Sequence, residues 1–110
     1  MIVAITEQDN QVFSHYGETR HFKLYEIENN QIQKSWVINS GEYSHHTLAT
    51  LLHNNNVNVL LCGRIGQPAV ITLSLVNIKV YDLNEGCCDD VIKNFLEGKV
   101  SFSGGHECHH

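Results

Sequence analysis

Residues 57–82 read VNVLLCGRIGQPAVITLSLVNIKVYD, and how this stretch folds decides the architecture of the chain. VNVLLC is apolar at consecutive positions, as expected of a strand covered by helices on both faces. GRIGQPA follows, where Pro68 suits the first turn of a helix, because its fixed backbone angle and missing N–H cost nothing there. PAVITLSLV is rich in branched residues that would serve a strand equally well. IKVYD, however, reads as a second short strand, and parallel strands in one sheet need a crossover that is usually helical. The stretch therefore predicts strand, helix, strand.

Working outward, MIVAIT is branched and apolar and predicts a buried first strand, followed by a long polar loop over residues 6–20. HFKLYEI and QIQKSWVI flank Glu28, Asn29 and Asn30 and predict an antiparallel hairpin, since asparagine tolerates the positive backbone angles of a tight turn. SHHTLATLLHNNN spaces Leu48, Leu51 and Leu52 for a helix that Ser44 would cap. CDDVIKNFLEG gathers Val91, Ile92, Phe95 and Leu96 on one helical face, with acidic residues in the first turn and Gly98 at the stop. The expected domain is α/β over residues 1–102, a hairpin joined to parallel crossovers. Residues 103–110 are expected to be a flexible His/Cys tail hinged at Ser103, Gly104 and Gly105.

A chain of 110 residues suits one core. Its charge of −5 disfavours electrostatic binding to nucleic acid, and no apolar run is long enough for a membrane span or shaped like a signal peptide. A cytoplasmic location is expected, where the four cysteines would be reduced thiols.

If the first strand points up, the crossovers bring several reactive residues to one rim of the sheet. These are His15, His21, His45, His46, Cys62, Cys87 and Cys88, with only His53 elsewhere. Ligands of open α/β sheets bind outside the carboxyl ends of the strands, so that rim is the expected site. Imidazole and thiolate select zinc, copper(I) or iron-sulfur species over magnesium or calcium. The bland readings stay open. Cys62 can be a small core residue, adjacent Cys87 and Cys88 chelate one ion awkwardly, and His45, His46 and His53 can be solvated. The terminal HECHH is interrupted by Glu107 and Cys108, unlike a purification tag, and His106, Cys108 and His109 would complete a site begun at the rim. In GRIGQPA, Gly63 and Gly66 either expose amides to an anion beside Arg64 or simply make a turn.

FSHYGETRHFKLYEI, VNVLLCGRIGQPA and IKVYD followed by a helix ending FLEGKV together resemble the dinitrogenase iron-molybdenum cofactor biosynthesis family. The first resembles that family's S-x-H-F-G loop, with Tyr16 in place of phenylalanine, and the likeness extends over residues 1–100. What the resemblance implies is a small stand-alone member with a ribonuclease H-like motif and a five-stranded mixed sheet in the order 3-2-1-4-5. It also implies His15 as a cluster-ligand candidate.

The leading expectation is a non-enzymatic carrier or scaffold. Its cargo would be an iron-sulfur or iron-molybdenum cluster precursor, with zinc as the alternative. The metal ligands would be drawn from His15, His45, Cys62, Cys87, Cys88, His106, Cys108 and His109, and the cofactor-binding residues from His15, Gly63, Arg64 and Gly66. Metallocluster donor or acceptor proteins would be its partners. A different class, a structural or regulatory interaction module without metal, is the alternative. A two-metal nuclease is disfavoured, because IVAIT carries no carboxylate on the first strand.

Overall fold

The computed structural model describes residues 1–44 and 46–99. Its first strand, β1 (Ile2–Gln8), is buried on both faces: Ala4 and Thr6 turn to one side, Val3 and Ile5 to the other, all four fully inaccessible. Such two-sided burial explains why the stretch is apolar without alternation. β1 does not stop at residue 6 as the sequence predicts. It continues to Gln8, turns through Asp9 and Asn10 at φ of 53° and 63°, and pairs with a two-residue β2 (Gln11–Val12). Asp and Asn enter the left-handed region more cheaply than other side chains, which permits this tight turn inside an otherwise polar segment.

A single 3₁₀ turn over Tyr16–Glu18 then leads to β3 (His21–Glu28) and β4 (Gln31–Asn39). Asn29 and Asn30, at φ of 51° and 61°, make the two-residue turn between them. β4 packs only Trp36 and Ile38 toward the core and is otherwise largely exposed at the edge of the sheet.

After β4 come α1 (Leu48–Asn54), β5 (Val59–Leu61), α2 (Gln67–Leu75), β6 (Lys79–Tyr81) and α3 (Cys88–Leu96). Ser44 is not the cap of α1. Thr47 holds that position, and Ser44 Oγ instead accepts from the His46 amide in the preceding turn, at 3.3 Å. β5 runs parallel to both β1 and β6, as the crossovers require, and the sheet order is β4-β3-β1-β5-β6 with β2 paired to β1. α2 is the helix the parallel strands demanded despite its branched residues. It carries no charged side chain and leaves Ile71 and Leu75 exposed, which is unusual for a helix apolar on all sides.

Two cores result. One lies under α1 and α2 and includes Phe22, Leu24, Leu52, Leu60, Cys62 and Leu73; the other lies under α3 and includes Ile5, Tyr25, Leu61, Cys88 and Ile92. No helix among the described residues is long and apolar enough to cross a membrane.

Candidate functional site

Residues 9–16 stitch together the ends of the parallel strands. The Phe13 amide donates to Thr6 O, the Val12 amide to Gly86 O and the Cys88 amide to Asn10 O, at 2.8, 2.8 and 2.9 Å. On its other side the same segment meets the turn after β5. The Arg64 amide donates to Ser14 O at 2.7 Å, and the Tyr16 amide donates to Arg64 O at 3.0 Å. His15 and Arg64 are thereby paired in a parallel bridge, both exposed. Two residues with 48 positions between them in the chain are thus brought side by side in the backbone.

Gly63 permits this approach. A Cβ there would stand 2.8 Å from both Cα and O of Ser14 and 3.1 Å from Phe13 O, closer than real side chains come to backbone. Gly63 is thus required by the close approach of the Ser14 backbone, a reason apart from both the turn and the anion cradle its sequence suggests. Asn84 secures the same corner from below: its amide nitrogen donates to Tyr81 O at 2.9 Å and Cys62 O at 3.2 Å, while the Leu83 amide donates to Gly63 O at 2.8 Å. Leu83 adopts φ of 61°, a costly angle for a branched side chain, and such strain persists where surrounding bonds over-determine it.

Around the His15 and Arg64 pair lies an open cleft of about 380 Å³, lined also by Tyr16, Gly17, Glu18, Ile65 and Gly66. Tyr16, Gly17 and Gly66 also border a second cavity of about 350 Å³, which reaches between the helices to His46, Ala49, Pro68, Ala69 and Thr72. Gly66 is the N-cap of α2, so the cleft meets the positive end of that helix. Tyr16 is buried at the floor, and burial first, then the neighbouring Cys62, raise its hydroxyl pKa so that it stays protonated.

Cys62, Cys87 and Cys88 do not line this cleft. Cys62 is fully buried under α1 and α2, and burial followed by the nearby Asp82 carboxylate pushes its thiol up to about 12. Cys88, the first residue of α3, is fully buried on the opposite face. Burial, then Glu7, raise its thiol to about 12 as well, against the opposing pull of Lys23. The sheet lies between them, so the expectation that they share one metal with His15 is corrected: both are free thiols that pack as small apolar residues. Cys87 is half-buried at the N-cap of α3, bridged to Gln11. His21 pairs with Asn39 near the mouth of a separate polar groove, and His53 lies in the last turn of α1. Among the described residues, no group of three or more His, Cys, Asp or Glu could hold a metal ion. The expectations for His45, His106, Cys108 and His109 lie outside the described residues.

α3 is anchored beside this corner by a polar network. Asp89 accepts from Lys23 at 3.1 Å and from the Tyr25 hydroxyl at 2.9 Å, and Lys23 also donates to Asn10 at 2.9 Å. Burial alone would raise the Asp89 carboxyl, but the hydrogen bonds from Lys23, Tyr25 and Asn10 outweigh it and the net shift is downward.

Comparison with known proteins decides what this corner belongs to. Residues 1–98 match the family described as dinitrogenase iron-molybdenum cofactor. The chain belongs to that family. A relative from Methanocaldococcus jannaschii, the uncharacterized protein MJ0580, is 33% identical over 105 residues, covering 91% of this chain and 89% of the relative. The crystal structure of PH0822 superposes with a TM-score of 0.87 at 27% identity, over 94% of this chain and 95% of that one. The apo form of the orange protein from Desulfovibrio gigas shares the fold, with a TM-score of 0.80 at 22% identity over 94% and 93% of the two chains. In this family member, the FSHYG stretch forms the loop that carries His15 to Arg64. Tyr16, Gly17 and Thr72 were not singled out as site residues from sequence. Gly17, directly after the histidine loop, was a visible signal, whereas nothing in LNEG marks Asn84 as the brace of the β5 turn.

Proposed function

We propose that the chain is a non-enzymatic carrier or scaffold for an iron-sulfur or iron-molybdenum cluster precursor, seated in the cleft at His15 and Arg64. The observation that carries this reading is the backbone pairing of those two residues at the rim of an open cleft that shares Tyr16, Gly17 and Gly66 with a second cavity, in a chain of this family. Sulfide-rich clusters are anionic, and the Arg64 guanidinium with the positive end of α2 favours an anion, opposed in part by the Glu18 carboxylate in the same lining. Imidazole supplies a ligand suited to iron, and the open cleft leaves room for a donor or acceptor protein to take the cargo. Zinc fits less well, because a closed zinc site needs four ligands and the described residues offer no such set. The ribonuclease H-like relationship of the sheet belongs to the same reading, supported by the mixed strand order.

The test uses a synthetic cubane-type iron-sulfur cluster added without oxygen, followed by gel filtration and measurement of sulfide-to-iron absorption. The wild-type chain should retain the absorption. The His15→Ala, Arg64→Ala double variant should bind at least about tenfold more weakly, since a contact to a charged group contributes roughly 1.5–3 kcal/mol. Equal retention by both proteins, or none by the wild type, would end the proposal.

A further inference from the structure

The two glycines of the β5 turn have different physical standing. Gly63 is compelled by the backbone of Ser14, as shown above. Nothing in the fold compels Gly66. Its φ of −79° and ψ of 153° are extended values open to any residue, so glycine's special freedom is not in use. A Cβ there would meet only Pro68 Cδ, at an ordinary 3.7 Å. As the N-cap of α2 it provides no side-chain hydrogen bond, although Ser, Asp or Asn at that position would satisfy an orphan helix amide and stabilise the helix. On conformation, packing and capping alike, another residue would serve the fold as well or better.

What Gly66 does share is the cleft. It is one of three residues, with Tyr16 and Gly17, that border both the open cavity at His15 and Arg64 and the deeper cavity between α1 and α2. We infer that Gly66 is a size-determining position of the site: its missing side chain keeps the two cavities continuous, so that a ligand as bulky as a multinuclear cluster can span them. This inference rests on the carrier reading and adds to it which residue sets the largest cargo accepted. Alanine would narrow the junction by one methyl, and valine would place branched carbon in it.

The test is a series, Gly66→Ala and Gly66→Val, with Gln67→Ala as the control on the same helical turn, since Gln67 borders neither cavity. Thermal unfolding of each variant checks that the fold is retained, and uptake of the synthetic cubane-type cluster is measured by anaerobic absorption titration. Retention should fall with side-chain size, modestly for alanine and by tenfold or more for valine, while Gln67→Ala binds like the wild type. A folded valine variant that binds as tightly as the wild type would overturn the inference and leave the carrier reading standing. Equal losses in Gln67→Ala and Gly66→Val would also overturn it, because the effect would then be that of the helix end. A wild type that takes up no cluster would remove both.

Discussion

Cys62 and Cys88 illustrate how placement decides the chemistry of a residue type. Both lie near the rim where the sequence directs attention, and both are withdrawn into the two cores on opposite faces of the sheet. An ordinary thiol titrates near 8.5, whereas these are pushed up to about 12, chiefly by burial. A thiol whose pKa is raised by folding contributes stability that is complete below its unfolded value and is lost as pH climbs toward the folded value. The folded chain should therefore tolerate mildly alkaline buffer with both thiols protonated and inert. Treated with iodoacetamide at about pH 8, native protein should leave Cys62 and Cys88 unmodified, and both should react once it is unfolded in urea. Mass spectrometry showing rapid labelling of either in the native state would contradict their burial.

The elements around the site are held by close backbone approach more than by side-chain contact. If the loop of residues 9–16 is locked to the β5 turn through Gly63, then Gly63→Ala should destabilise the chain by about 1–3 kcal/mol, because the added methyl forces two backbones apart. A urea midpoint equal to that of the wild type would refute the lock. This loop also shows where sequence reading succeeded and failed. VNVLLC, PAVITLSLV and IKVYD were legible because a parallel crossover leaves few choices, and the asparagine pair at 29 and 30 announced its turn. Residues 6–20 looked like a plain loop. Their order comes from long-range backbone bonds to residues 64 and 86, which leave no periodic signature in composition. The cap of α1 was misplaced for a related reason: Ser44 and Thr47 are both good capping types, and local pattern does not rank them.

Across the whole molecule, the parallel crossovers and the hairpin bring one end of β1, β3 and β5 together, and residues distant in the chain meet there. That gathering was legible for His15 and Arg64. It was not legible for the cysteines, because strand alternation sends neighbouring rim residues to different faces and a sequence does not say which face a helix will cover. The site that results is an open cleft that sets His15 and Arg64 beside Glu18 and is bordered by Gly17 and Gly66, and among the described residues no closed metal cage is built. The measurement that tests this most directly is residue-by-residue NMR of ¹⁵N-labelled protein titrated with the cubane-type cluster in the absence of oxygen. Amide signals of residues 14–18, 46 and 63–66 should shift or broaden first, with those of β4 unchanged. Changes centred on β4 or on the far end of α3, or no changes at all, would contradict the account.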